Sequence, residues 1–500
     1  MSNVETRPEA VSTLLRDLRC SWVDGEAFGD GVDVMTHVNP ANGQSLGETE
    51  TVDATGVDAA IAAARRAFAG PWGALSAGER KAKLFAFADR IAANIDDLAL
   101  LEALEVGRPL ADAKMVIAHA PEVIRRYAAM IDRIQGDVIG GEAHQLGVSW
   151  RRPRGVVAAI VPWNFPVMNV IVRLAPALAA GNAVVIKPSE NSPRSALLMA
   201  RLATEAGLPD GTFNVVLGFG PITGEALASH PDVDLLSFTG STKTGQRITQ
   251  AAASHTLKPV LLECGGKSPQ IVLDDMLDDP AIWHPIFFSS FWNSGQWCAA
   301  KTRLLVPRDK VQVAIDGLQE AAKAWRVGDP MQAGTMLGPI VNAIQMGRVQ
   351  EYLAAAAQAG QVVELGCPSD DLHPRGNFLM PSLALDQPRG GRVSREEIFG
   401  PVITIEGFDD VDDAIALAND TNFGLMASIW TRRSDLAHRL ARNVVAGAIS
   451  IMSSAQAAAR SMPDYVGGYL EPQKQSGHGA DGGVPGLAAY TTAQSITWLH

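Results

Sequence analysis

The sequence predicts an α/β protein built on doubly wound parallel sheets. Short β-branched runs such as GVVAAIVP (155–162) recur without polar alternation, which is the pattern of strands buried on both faces. Most of these runs are followed by a helical stretch, so strand and helix alternate. The 500 residues are 47% hydrophobic and 19% charged, enough apolar material for roughly two to four domains.

Residues 2–47 carry short strand-like pieces broken by Gly, Asn and Pro. From Val57 the pattern turns helical, with Ala and Leu recurring at three and four residues until Gly107 closes the run. A second helix is expected over 109–134, and the polar alternation of 135–152 reads as a hairpin or arm. The strand–helix series then runs through 155–162, helix 170–180, AVVIKP (183–188), helix 192–206, FNVVLG (213–218), a helix after Gly224, LLSFTG (235–240) and a helix from Thr242. A second region opens at 261–273 and continues through TRLLVP (302–307), helix 311–325, PVITIEGF (401–408), helix 411–418 and SIWT (428–431). The tail after Gly477 is glycine-rich and then strand-like. Linkers are short, so the domains should be intertwined.

Composition excludes several function classes. Lys and Arg number 42 against 54 Asp and Glu, a formal charge of −12, which argues against nucleic acid or an anionic membrane as partner. Cys20, Cys264, Cys298 and Cys367 are too few and too scattered for a disulfide framework. None has zinc-ligand spacing and no HExxH occurs, so no metal is expected. With no secretory h-region and no apolar run of about 20 residues, a reduced, cytoplasmic protein is expected.

Six segments carry candidate chemistry. SFTGSTKTG places Gly240 and Ser241 at a strand end before a helix, where free N–H groups suit a pyrophosphate; a plain tight turn reads equally well. Lys187 and Glu190 of VIKPSE follow a buried strand at the sheet edge where open α/β folds bind ligands, and they also read as a solvated charge pair. Cys298 in FWNSGQWCAAKTR is a nucleophile if its environment activates it and a small buried hydrophobe if not. Glu263 ends an apolar run, where burial raises a carboxyl pKa and makes it a candidate base; Cys264 beside it is read as inert. Asn164 in VPWNFP can offer an amide donor to an oxyanion. Glu397 and Phe399 of EEIFGPV read in isolation as a helix-end acid and a core aromatic.

Taken in order, VPWNFP, IKPSE, FTGSTKTG, LECGGKSP, GQWCAAKTR, EEIFGPV, NDTNFGL and a late SGHG resemble the signature blocks of the aldehyde dehydrogenase superfamily, from about Asn39 to Trp498. The resemblance implies a Rossmann-like NAD-binding domain (1–134 and 153–262), an α/β catalytic domain (263–476) and a small β oligomerisation arm (135–152 and 477–500). It implies Cys298 as nucleophile, Asn164 with the Cys298 backbone N–H as oxyanion hole, and Glu263 as the base for deacylation. Lys187 and Glu190 would hold the adenosine ribose, Trp163, Gly240 and Ser241 would line the cofactor path, and Glu397 and Phe399 would meet the nicotinamide half. The cofactor is expected to be NAD, with NADP possible because Lys187 offsets the repulsion of a 2′-phosphate by Glu190. A homodimer or homotetramer is implied, held through the arm.

The chain departs from the family pattern at several places. Arg173 stands where Lys is common, and Asp481 and Ala480 replace Glu and Arg in the late block. Arginine is effectively never deprotonated, which puts a proton relay through position 173 in doubt. The stretch 468–474 holds extra residues, Val466 replaces a Phe, and Met452 replaces an Asn. By position, Phe165, Asn169, Val172, Trp292, Trp297 and Ala299 should line the substrate tunnel, with the 452–465 loop over its mouth. Aromatic walls suit a medium-sized, neutral aromatic or aliphatic aldehyde. The alternatives are an acidic semialdehyde held by Arg460, or transfer of the acyl group to coenzyme A, which the presence of Glu263 disfavours.

Overall fold

The structure, a computed structural model, describes residues 8–29, 33–139, 144–459 and 468–499. Its larger sheet has eight strands, in the order Glu26–Phe28, Ser21–Val23, Phe213–Val215, Ala183–Lys187, Val156–Ile160, Leu235–Thr239, Val260–Glu263 and Gly477–His478. From Phe213–Val215 to Val260–Glu263 neighbouring strands run parallel. The parallel series starts at Val156–Ile160, builds outward through Ala183–Lys187 to Phe213–Val215, then returns to lay Leu235–Thr239 on the other side of its starting strand. That reversal opens a crevice outside the carboxyl ends of Val156–Ile160 and Leu235–Thr239, the place where open α/β sheets bind ligands.

The uninterrupted apolar runs have a direct physical cause. Val157, Ala159, Val184 and Ile186 pack into one core, and Val156, Ala158, Ala183 and Val185 pack into another on the opposite face. Because side chains alternate across a strand, both halves of each run must be apolar.

The second sheet has seven strands, ordered Gln361–Glu364, Ser382–Leu385, Val402–Phe408, Arg303–Pro307, Pro269–Val272, Met426–Trp430 and Ala448–Met452. All of its pairings are parallel except that of Gln361–Glu364. Leu304 and Val306 face one core and Leu305 the other, so this sheet is also covered on both sides. A third, three-stranded sheet pairs Thr491–Leu499 antiparallel with Gln145–Pro153, which in turn pairs with Val138–Ile139.

Several expected boundaries move. The helical run closed by Gly107 is three helices, Ala54–Ala69, Ala77–Ala93 and Ile95–Val106, with Asn94 breaking the last pair as its side chain donates to the Arg90 carbonyl. The run over 109–134 divides into Leu110–Ile117 and Ala120–Ala129, with Pro121 in the first turn of the second, where its missing N–H costs nothing. Helix 170–180 begins earlier, at Pro166. The segment 477–500 is not arm throughout, because Leu262 and Glu263 pair with His478 and Gly477 in the larger sheet. Gly477 has φ +119° and lies so close to Leu262 that a Cβ would sit 2.1 Å from its carbonyl oxygen. The change from one sheet to the other falls between Glu263 and Pro269.

Buried ion pairs tie the layers together. Arg194 and Glu105 meet at 2.8 Å with both side chains fully buried, and Arg194 also donates to the Leu46 carbonyl at 3.0 Å. Burial pushes the Glu105 carboxyl up to about 7 against the pull of Arg194. Breaking such a pair leaves one charge buried alone. Arg194→Met should therefore destabilise the fold by about 3–5 kcal/mol, and the double variant Glu105→Gln/Arg194→Met should recover much of the loss. Denaturant midpoints check this; a single variant as stable as the parent overturns it.

Candidate active site

The carboxyl edge of the larger sheet meets the amino edge of the second across a cavity of about 480 Å³. The first sheet contributes the loop after Val156–Ile160, the turn after Leu235–Thr239 and the end of Val260–Glu263; the second contributes segments just before its strands together with Met426 and the strand Ala448–Met452. Cys298, Glu263 and Asn164 all line this one space.

Cys298 is presented by an unusual turn. Asn293, Ser294 and Gly295 are consecutive left-handed residues with φ of 53°, 55° and 69°. Such backbone is costly for non-glycine residues and persists only when neighbours over-determine it. Here the Asn293 amide donates to the carbonyls of Asn164 (3.1 Å) and Gln296 (3.2 Å), while the Gln296 side chain accepts from Val341 N–H (3.0 Å) and donates to Pro339 O (3.3 Å). Gly266 lets the turn approach: a Cβ there would lie 2.4 Å from the Cys298 carbonyl oxygen. Burial, and after it Glu263 and Glu397, push the half-buried Cys298 thiol above the ordinary range. Cys264 also lines the cavity but is buried, and the same causes push its thiol up to about 12.

Asn164 sits at the start of helix Pro166–Ala179. Its Oδ1 accepts from the Asn169 amide at 3.0 Å, and its backbone oxygen takes the Arg108 guanidinium and Asn293. Asn169 thus occupies the acceptor end of the Asn164 amide, so the donor end is the one available to the cavity.

Glu263 is held from one side by Arg173. The guanidinium donates to Glu263 Oε2, to Asp481 Oδ2 at 2.8 Å and to Thr239 Oγ1 at 3.0 Å. Burial pushes the Glu263 carboxyl up, Arg173 pulls it down and Asp481 pushes it up again, and the balance is about 7.

The other predicted residues fall into two groups. Trp163, Gly240, Ser241, Glu397 and Phe399 line the cavity. Trp163 meets Phe399 edge to face at 5.5 Å, Ser241 caps helix Thr242–Ala252 by accepting from Thr244 N–H, and Glu397 accepts from Gly266 N–H at 2.9 Å. Burial pushes the Glu397 carboxyl up to about 7 against that hydrogen bond and Lys267. Lys187 and Glu190 do not line this cavity; they lie together at the next strand end, where Lys187 Nζ is 3.4 Å from Glu190 Oε1, which accepts from Gly220 N–H at 2.7 Å.

Of the six residues expected to line the tunnel, Phe165, Asn169 and Val172 do. Trp292, Trp297 and Ala299 do not: they are buried behind the wall, with Trp292 bonded to Asp112 and packed at 5.2 Å on both Phe165 and Trp297. In an irregular segment, position relative to a cysteine does not fix which way a side chain turns. Arg460, Val466 and the far part of the 452–465 loop lie outside the described residues. The sequence reading missed Tyr127, Lys301, Gln345 and Arg348, all on the cavity wall. Of these only Lys301 left a signal, a lysine at the close of the run WCAA.

The model of the aldehyde dehydrogenase family matches residues 22–496. The NADP/NAD-dependent aldehyde dehydrogenase PuuC of Escherichia coli is 38% identical to this chain, covering 92% of it and 91% of that protein. The aminoacetaldehyde dehydrogenase of Pseudomonas aeruginosa is 36% identical, covering 100% of this chain and 99% of its own. Among solved structures, the indole-3-acetaldehyde dehydrogenase AldA of P. syringae, in complex with NAD+ and IAA, superposes with a TM-score of 0.92 at 34% identity, covering 98% of this chain and 99% of that one.

The raised thiol makes a direct prediction. Alkylation of Cys298 by iodoacetamide in the isolated protein should be at least about tenfold slower at pH 7 than that of a free thiol, and should keep rising beyond pH 9. Peptide mapping separates it from the exposed Cys367. A rate that levels off below pH 8 would contradict the buried, carboxylate-flanked environment.

Proposed function

The chain belongs to the aldehyde dehydrogenase family, as an NAD(P)-dependent enzyme that oxidises aldehydes to acids and does not acylate coenzyme A, and we propose that Cys298, Asn164 and Glu263 carry its chemistry. The observation supporting this is their convergence on one cavity from three separate segments.

The residues present fit a dinucleotide. Lys187 and Glu190 stand at the carboxyl edge of the parallel sheet beside Gly220, where an added Cβ would meet nothing nearer than Glu190 Oε1 at 3.6 Å, so the turn leaves open space next to the pair. The amino terminus of Thr242–Ala252 can receive a pyrophosphate. Glu397 and Phe399, across the cavity, suit the nicotinamide half. When bound, NAD(P) accepts the hydride that leaves the aldehyde carbon.

The protein groups divide the remaining work. Cys298 Sγ, once deprotonated, adds to the carbonyl carbon, and the oxyanion is met by the Asn164 amide and the Cys298 backbone N–H. Asn169 keeps the Asn164 donor turned toward that position. Loss of hydride leaves a thioester on Cys298. Glu263 then takes a proton from water, whose oxygen attacks the thioester, releasing the acid and restoring the thiol. Arg173 is a fixed charge: it orients Glu263 and favours its carboxylate, but relays no proton.

Phe165, Met168 and Val172 give the cavity an apolar wall, which favours a medium-sized aldehyde with an aromatic or aliphatic body. We assign the two parallel sheets to the NAD-binding and catalytic domains. Association as a homodimer or homotetramer is proposed through the third sheet, which exposes Val138, Ile139, Trp150 and Leu499 beside an unpaired strand edge. Four cysteines, all free, fit a reducing compartment such as the cytoplasm.

Cys298→Ala should lower aldehyde oxidation by at least about a thousandfold while NAD still binds. Glu263→Gln should leave a burst of NADH and slow the steady rate that follows; an unchanged steady rate removes Glu263 as the base. Cofactor choice rests on Glu190. NAD should exceed NADP in kcat/KM by about tenfold or more, and Glu190→Gln should narrow the ratio. A wild-type preference for NADP overturns that assignment.

A further inference from the structure

Lys301 is the buried cation of the cavity wall that the chemistry above leaves without a role; Arg348, also on the wall, is exposed. Lys301 follows Cys298 by three residues, lines the same space and is 8% exposed. Its backbone is pinned on both sides: its N–H donates to the Ser289 carbonyl at 2.9 Å, and its own carbonyl accepts from Ser290 Oγ at 2.9 Å and Gln270 Nε2 at 3.3 Å. The side chain therefore leaves a rigid base. Its amine makes no hydrogen bond or ion pair among the described residues; its recorded neighbour is the Trp297 ring, with the centroid 5.7 Å away.

Most other strongly buried cations have a carboxylate partner. Arg108 has Glu102 and Asp112, Arg173 has Glu263 and Asp481, Arg194 has Glu105, and Arg303 has Glu406. Lys187 faces Glu190, whereas Lys267 Nζ, like that of Lys301, makes no hydrogen bond among the described residues but lies off the cavity wall and feels Glu406, Glu397 and Glu396. The carboxylates on the cavity wall are engaged elsewhere, Glu263 and Asp481 by Arg173 and Glu397 by Gly266 N–H. Burial alone lowers the Lys301 amine to about 8, so it is mostly charged at neutral pH. A buried cation without a counter-ion is costly, and an anion entering the cavity would relieve that cost.

We propose that Lys301 receives a carboxylate at the far end of the substrate, so that the enzyme selects aldehydes that are also acids. This rests on the assignment of Cys298 as the nucleophile of the same cavity. Three residues of chain put the Cα atoms of Cys298 and Lys301 at most about 10 Å apart, and the side chains extend that reach, so the aldehyde and the carboxylate should be separated by a short chain or a single ring. An apolar middle section between the two groups would lie against Phe165, Met168 and Val172.

The test uses the full-length enzyme with NAD and size-matched aldehyde pairs: 4-carboxybenzaldehyde against 4-methylbenzaldehyde, and succinic semialdehyde against pentanal. In the wild type the acidic member of at least one pair should have the higher kcat/KM, by about tenfold or more. In Lys301→Met the acid-to-neutral ratio should fall by about thirtyfold, chiefly through KM, and Lys301→Arg should restore part of it. Each ratio is internal to one preparation, so partial misfolding of a variant does not change it. A wild type that prefers the neutral member of both pairs, or a ratio unmoved in Lys301→Met, overturns the proposal and leaves the dehydrogenase assignment standing. Absence of NADH formation with all four aldehydes would instead overturn the underlying reading of the cavity.

Discussion

The arrangement around the cavity depends on one guanidinium. Arg173 reaches from helix Pro166–Ala179 to Thr239 at one strand end, Glu263 at the next, and Asp481 near the carboxyl terminus. Three segments distant in sequence are thereby fixed to one planar group. A lysine amine is a point charge on a flexible stem, whereas the guanidinium holds its donors in fixed directions, so these three acceptors define its plane and it defines their spacing. Its own burial would be prohibitive without the two carboxylates, and theirs without it. Position and charge at Glu263 are thus consequences of the same contact.

That contact sits where the two sheets oppose different edges. The first presents strand ends, and the second presents segments that precede its strands, including the left-handed turn before Cys298. A turn of that kind stays in place only because its side chains are spent on holding it. Asn293 and Gln296 bond to neighbouring backbone and Gly266 yields the space of a side chain, so the sulfur is delivered by rigid structure. The local strain is offset by hydrogen bonds from both halves of the molecule, which couples the placement of the nucleophile to the packing of the two domains.

The parallel strands were legible in the sequence because burial on both faces forces an apolar run, a property of residues in order. The breaks at Asn94 and before Pro121 were harder, since helical periodicity persists across them and the interruption comes from one side-chain bond or one ring. Resemblance brought Cys298, Glu263 and Asn164 forward, and the fold places them in one space. It failed for Trp292, Trp297 and Ala299 because facing is set by the turn's dihedral angles, which no spacing rule encodes. Asn169 does line the cavity as expected, and its amide donates to Asn164 Oδ1, a contact that spacing does not reveal. Lys301 passed unnoticed because a lysine on a loop is ordinarily solvated. Only the surrounding core shows that this one is not.

Arg173 and Lys301 show what burial does to a cation in the two limiting cases. Arg173 is saturated in charge, with both terminal nitrogens committed to protein carboxylates, so it can fix geometry but has little capacity left for a ligand. Lys301 is equally rigid at its backbone yet brings its charge to the cavity with, among the described residues, an aromatic face for company. Keeping such a group in a well-packed protein is destabilising unless something supplies the missing charge, and among the described residues the groups lining the space do not. A saturated cation belongs to the scaffold, and an unsaturated one turned to a cavity belongs to whatever enters it. By that criterion the apolar wall sets the girth of the aldehyde, while the charge at Lys301 discriminates among aldehydes that fit equally well.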